Sequence, residues 1–286
     1  MSKSGFPDGA IDPVPPFCYF VPAMPHDPRA RIVRKQSWDD FHLFRFESPA
    51  LAAGAKPGQF VMVRTAEAYD PLLRRPLGLH DAGEGWLEIF FRVAGRGTAL
   101  LAGRKEGQTI DVIGPLGGGF RLDGEWPGRA AWLVGGGRGI APLYFLGRGL
   151  GDRGARVRVF YGGRTRSEVP LTAKFGEAGF DVACSTDDGS LGFHGLVTSL
   201  LERELAAGAP AGLFVCGPDP MMERTARLAQ ARGIPAQISL EAVMGCGFGA
   251  CWGCVKRIKR PDGGKWLKIC EDGPVFAADE ILWEER

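Results

Sequence analysis

The sequence predicts a mixed fold: an antiparallel β-barrel, then a doubly wound parallel α/β domain, then a small metal-binding module. Three observations carry this. Short strand-like runs broken by turn residues fill residues 29–125, strand and helix patterns alternate over 126–241, and four cysteines crowd into the tail 242–286. At 286 residues the chain exceeds one ordinary domain, so more than one core is expected.

Residues 1–28 hold Pro7, Pro13, Pro15, Pro16, Pro22, Pro25 and Pro28. Proline fixes φ and removes a backbone donor, so this stretch reads as an extended arm. Two readings stay open for it, a loosely ordered terminus and a segment laid on a partner.

Between 29 and 125, β-branched and aromatic runs at 31–37, 41–47, 59–64, 76–81, 86–93 and 109–113 are separated by Gly, Pro and Asp. Six short strands at this spacing predict a small antiparallel barrel. The rhythm then changes. An apolar run, 130–134, ends in Gly135-Gly136-Gly137-Arg138-Gly139 and leads into a helical pattern over 140–150. Further strands at 157–162, 181–185, 213–216 and 236–240 alternate with helices at 171–178, 195–207 and 220–232, which predicts a parallel sheet. In the tail, strands at 255–260 and 265–270 flank Pro261-Asp262-Gly263-Gly264 as a hairpin.

Composition excludes several function classes. The 35 basic and 33 acidic residues are intermixed and leave a net charge of +2, so no field that would gather nucleic acid is expected. No apolar stretch reaches the roughly 18–20 residues of a membrane span, and the start lacks a secretory pattern, so a cytoplasmic protein is expected. Seven cysteines, an odd number, do not form the even framework of a small secreted domain.

The sharpest chemical signal is Cys246-x4-Cys251-x2-Cys254-x15-Cys270, with Gly245, Gly247, Gly249 and Gly253 interleaved. Four thiolates in this spacing match plant-type [2Fe–2S] ligation, and the glycines let the loop fold tightly and aim amide N–H groups at sulfur. A structural zinc site is the alternative, although zinc ribbons use two C-x2-C pairs and this chain has one.

The glycine run 135–139 opens the backbone before a helix whose free N–H groups suit a pyrophosphate; a plain strand-to-helix turn remains the bland alternative. Cys216-Gly217-Pro218 ends a later strand, where open α/β sheets bind ligands, although Cys216 alone reads equally as a core cysteine. In the barrel region, Arg74-Arg75-Pro76-Leu77 and Gly95-Arg96-Gly97-Thr98 offer guanidinium, amide and hydroxyl donors to phosphate, though either alone is an ordinary surface feature.

In order along the chain, Pro57-Gly58-Gln59-Phe60, Arg75-Pro76-Leu77, Gly95-x-Gly97-Thr98, Gly114-Pro115-Leu116-Gly117, the glycine run, Cys216-Gly217-Pro218 and the four tail cysteines resemble the ferredoxin–NADP reductase superfamily. Within it the likeness is to the electron-transfer subunits of dihydroorotate dehydrogenase B, and 185–190 and Ser239-Leu240-Glu241 share it. This implies an FAD-binding barrel, a nicotinamide-binding α/β domain and a cluster domain. It implies that Arg75, Gly97 and Thr98 hold the FAD pyrophosphate and that Pro76, Leu77 and Gly78 lie along the flavin. By the same likeness Gly135, Gly136, Gly137 and Gly139 face the nucleotide phosphates, while Cys216, Gly217, Pro218 and Glu241 serve the nicotinamide side, Cys216 and Glu241 as catalytic residues. Electrons would then pass between NAD(H), FAD, the [2Fe–2S] cluster and a partner in a hetero-oligomer. That partner is an FMN dihydroorotate dehydrogenase, or a larger iron–sulfur flavoprotein if the chain is instead the small subunit of a sulfide dehydrogenase or of an NADH-dependent ferredoxin–NADP reductase. A zinc-stabilised nucleotide-binding adaptor is the reading of another class.

Two positions depart from the pattern: Gly78 replaces a hydroxyl residue, and Arg138 replaces a small or aliphatic one. For nucleotide choice, Arg164 and Arg166 suit a 2′-phosphate, whereas Glu168 suits a 2′-hydroxyl. The resemblance favours NADH.

Overall fold

The computed structural model describes residues 24–283. Strands β1 (His26–Trp38), β2 (Phe41–Glu47), β3 (Phe60–Arg64), β4 (Arg75–Gly83), β5 (Trp86–Arg92) and β6 (Thr109–Leu116) close into an antiparallel barrel in the order β1-β2-β5-β4-β3-β6. Alternation fills it: Phe44 and Phe46 of β2, Val61 and Val63 of β3, and Leu87 and Ile89 of β5 point inward and are fully buried. Helices α1 (Pro49–Ala52) and α2 (Arg96–Ala102) cap the connections. Where Gly95-Arg96-Gly97-Thr98 predicts a turn, the second is a short helix entered through Gly95.

The next strands are β7 (Ala130–Gly136), β8 (Arg156–Gly163), β9 (Asp181–Thr186), β10 (Phe193–His194), β11 (Gly212–Cys216) and β12 (Ala236–Ser239). All pair in parallel, as the alternation predicts. Helices α3 (Ala141–Gly151), α4 (Thr172–Glu177), α5 (Val197–Ala207) and α6 (Asp219–Ala231) make the crossovers.

Three expectations change. First, β1 begins at His26, inside the predicted arm, because His26 pairs with Ile113 of β6; residues 1–23 lie outside the described residues. Second, the tail hairpin β13 (Val255–Arg260) and β14 (Gly263–Lys268) turns on Pro261-Asp262 alone, since Arg260 already pairs with Gly263. Third, the tail is not topologically separate. Its strand β15 (Val275–Ala277) runs antiparallel beside β12 and completes a seven-stranded sheet, β10-β9-β8-β7-β11-β12-β15.

Barrel and α/β domain meet through buried charge pairs. Lys174 of α4 reaches the buried Glu88 of β5 at 2.6 Å, and Arg148 of α3 reaches the buried Asp81 of β4 at 2.6 Å. His80 of β4 is held neutral by burial and bonds the Ala141 carbonyl through Nδ1 at 2.9 Å. Removing Arg148 takes the ion-pair partner from a buried Asp81 carboxylate, whereas Glu88 also keeps Arg45 at 2.9 Å; both contacts tie the two units together.

Candidate active site and cluster loop

In the sheet order, β7 and β11 lie side by side where successive crossovers turn in opposite directions, the switch point at which open α/β sheets bind ligands. The strand ends meet closely there. A Cβ on Gly139 would lie 2.5 Å from Cα of Gly217 and 2.6 Å from the Cys216 carbonyl, so only glycine lets the two loops touch. Gly137 has φ +53° and opens into free space. These loops wall a cleft of about 810 Å³ lined by Gly136, Gly137, Gly139, Gly217 and Pro218. Gly135 does not reach it: it is buried, and a Cβ there would strike Ile140 at 2.4 Å. It packs beneath the turn against Ile140.

A second cleft, about 250 Å³, lies between β4 and the start of α3. Arg75, Pro76, Leu77 and Gly78 form one wall, Ala141 and Pro142 the facing one, and Cys216 and Glu241 the end nearest the first cleft. Arg75 crosses directly above Gly97, where a Cβ would meet Nε at 2.5 Å. Thr98 lines the cleft, but its hydroxyl donates to the Gly95 carbonyl and accepts from the Ala94 and Gly95 amides. What it leaves for an anion is backbone N–H in the first turn of α2. Arg74 is committed elsewhere, to both carboxylate oxygens of Asp111 at 2.8 Å. At Gly78 a Cβ would lie 3.8 Å from Pro142, so no protein contact demands glycine there.

The two clefts share Arg92, Arg138 and Glu241. Arg138 donates to Glu241 at 3.0 Å. Cys216 is buried; burial first, then the Glu241 carboxylate, push its thiol far above the ordinary range, so it stays a neutral S–H. Also lining the first cleft, Glu168 accepts from Arg164 Nε at 2.9 Å and backbone N–H at 3.0 Å, and from Arg92 at 3.0 Å. The Arg164 bond, with Arg92 adding to it, brings its carboxyl down to about 2 against the opposing effect of burial. Arg166 does not line the cleft; its amide bonds Ser190 at 2.8 Å. Arg92 escaped sequence reading because a lone arginine at a strand end carries no signal.

The tail cysteines draw together in two pairs. The Cys251 amide donates to Cys246 Sγ at 3.4 Å, and the Cys270 amide to Cys254 Sγ at 3.4 Å, while the Gly249 amide reaches Cys270 Sγ at 3.1 Å. Burial would raise the Cys246 thiol, but N–H groups of Phe248, Cys251 and Ala250 outweigh it and hold the thiol at about 7. Cys270 is pushed up to about 12 by burial and by Cys254 beside it. Crowded sulfurs of this kind ionise together only against positive metal charge. Two pairs with amide donors suit two irons, two thiolates each, better than one tetrahedral zinc. Among the described residues no helix is long and apolar enough to cross a membrane.

Residues 241–282 match the family model of the iron–sulfur cluster binding domain of dihydroorotate dehydrogenase B. The chain is 38% identical over 245 residues to the electron transfer subunit of dihydroorotate dehydrogenase B (NAD(+)) from Desulforamulus reducens, covering 85% of this chain and 93% of that one. The same subunit from Geobacillus thermodenitrificans is 44% identical over 229 residues, 79% of this chain and 87% of its own. Among solved structures, that of the NADH-dependent reduced ferredoxin-NADP oxidoreductase superposes with a TM-score of 0.77 at 32% identity, covering 90% of this chain and 91% of the other. Barrel, parallel sheet and cluster loop thus occur together in an oxidoreductase subunit, and the chain belongs to the family of dihydroorotate dehydrogenase B electron transfer subunits.

Proposed function

We propose that this chain carries electrons between NADH and a catalytic flavoprotein, an FMN-containing dihydroorotate dehydrogenase of pyrimidine synthesis, as part of a cytoplasmic hetero-oligomer. One observation carries the reading: the two clefts and the cysteine loop are contiguous. The clefts meet at Arg138 and Glu241, and Met244, two residues before Cys246, lines the smaller cleft. The loop is seated on the barrel as well, since a Cβ on Gly247 would lie 2.5 Å from Cγ of Met62 in β3.

In this reading FAD occupies the smaller cleft, its pyrophosphate on Arg75 and the first-turn amides of Gly97 and Thr98, its ring along Pro76, Leu77 and Gly78. NADH occupies the larger cleft with its phosphates at Gly136, Gly137 and Gly139 and its nicotinamide beside Cys216, Gly217, Pro218 and Glu241. Cys246, Cys251, Cys254 and Cys270 hold the [2Fe–2S] cluster. FAD held there would supply two-to-one conversion, taking two electrons as one hydride and giving them up singly to a one-electron cluster. The chain's own residues bring the two rings together: Gly139 lets the nucleotide loop close on Cys216-Gly217, and the neutral Cys216 thiol adds no charge at the contact.

The test is reconstitution. Loaded with FAD and cluster, the isolated chain should reduce dyes with NADH and leave dihydroorotate untouched; adding the FMN subunit should join the two half-reactions. A second reading, the small subunit of an NADH-dependent ferredoxin–NADP oxidoreductase, is favoured by the 32%-identical structure. Activity restored only by that enzyme's large subunit would establish it. A colourless preparation with one zinc would defeat both.

A further inference from the structure

The doorway between the clefts is built from two residues 103 positions apart, Arg138 and Glu241. Arg138 stands in the 3-10 turn Gly137–Ile140, and its backbone has no room to retreat because Gly139 is pressed against Cys216 and Gly217. Its side chain is 55% exposed, and among the described residues its one ion-pair partner is Glu241, 41% exposed. The other guanidiniums lining the larger cleft are held or placed differently. Arg92 and Arg164 converge on Glu168, which is only 13% exposed; Arg224 and Glu202 form a pair as open as Arg138–Glu241, but Arg224 stands on α6 and not in the glycine turn. Arg138 is thus the weakly held cation closest to the turn before α3. An exposed pair exchanges partners readily, whereas a guanidinium meets a pyrophosphate through two parallel charge-assisted bonds. The charges of both Arg138 and Glu241 reach the Cys216 sulfur, so exchange at this pair is felt where nicotinamide and flavin would meet.

Resting on the nucleotide reading above, we infer that Arg138 is a positioning residue for the dinucleotide: its guanidinium leaves Glu241 for the pyrophosphate, and Glu241 is thereby freed to face the nicotinamide carboxamide. Nucleotide entry and opening of the doorway become one event. Occupancy of the larger cleft by the adenosine half alone is enough to trigger it, because the pyrophosphate belongs to that half.

The experiment uses the FAD- and cluster-loaded chain and measures binding of ADP-ribose, which has the pyrophosphate and no nicotinamide, by calorimetry. Arg138→Leu should weaken ADP-ribose and NAD+ binding by about tenfold or more and flatten their salt dependence. Arg138→Lys should recover part of the loss. Glu241→Gln, which releases Arg138, should leave ADP-ribose binding as tight or tighter while slowing flavin reduction by NADH. Unchanged flavin and cluster absorption in each variant shows that the fold survives. ADP-ribose bound equally well by the parent and by Arg138→Leu overturns this inference alone. A parent chain that binds neither ADP-ribose nor NAD+ overturns the nucleotide assignment and this inference with it.

Discussion

The Arg75 guanidinium lies across the face of Gly97, so close that a Cβ on Gly97 would stand 2.5 Å from Nε and 2.8 Å from Cζ. The missing side chain is what lets the cation rest over the first turn of α2, and the pair makes a test of FAD binding. Arg75→Ala should remove a charge-assisted contact of about 1.5–3 kcal/mol, tenfold to a hundredfold in affinity. Gly97→Ala should have a similar direction and smaller size, since it displaces the flexible end of Arg75 and leaves the barrel intact. Flavin retained equally by all three proteins after dialysis would remove Arg75 from the site.

Cys251 is the exposed member of its pair and Cys254 and Cys270 are buried. Cys251→Ser should lose the cluster absorption and keep bound FAD, because the flavin wall is built from β4 and α3. The iron count and flavin content of the purified variant check this, and joint loss of both groups would show that the cluster loop holds the flavin cleft together.

Glu168 binds Arg164 and Arg92 at once, so neither guanidinium is free for a 2′-phosphate. Its folded pKa, about 2, lies below the ordinary value of 4.5. A depressed carboxyl stabilises the fold fully above its unfolded pKa and loses that contribution as the pH falls toward the folded one. The window is acid, so preference for NADH should be flat from about pH 6 to 9. Glu168→Gln should release the arginines and shift the preference toward NADPH by about tenfold, roughly the worth of one charge-assisted contact. Stopped-flow flavin reduction with each nucleotide measures it; an unchanged ratio would place selection elsewhere.

Trp252, 58% exposed, and Phe248, 41% exposed, stand on the cysteine loop, with Lys268 over the Trp252 ring at 4.9 Å. Trp252→Ala should slow electron transfer to the catalytic subunit about tenfold, the scale of one aromatic interface contact, and leave dye reduction by NADH nearly unchanged. A parallel fall in both rates would make the ring a structural part of the loop.

Much of this was legible along the chain because it is written in short windows. Alternation marked the six barrel strands and the parallel strands within a few residues. The cysteine spacing specified the ligand type because four thiols separated by four, two and fifteen residues are covalently constrained before any folding. The glycine runs marked where backbones must approach.

Only tertiary structure decided which members of each motif act and which support. Arg75 opens β4 and Arg74 stands just before it, yet the two guanidiniums part, Arg74 to Asp111 and Arg75 over Gly97. Gly135 and Gly139 read alike in sequence, yet one lies under Ile140 and the other against Gly217. The pairing of β12 with β15, the barrel's contribution of Arg92 to the larger cleft, and the Arg138–Glu241 pair all join residues far apart in the chain. Such contacts are set by how the barrel, sheet and tail close on one another, and no local periodicity encodes that closure.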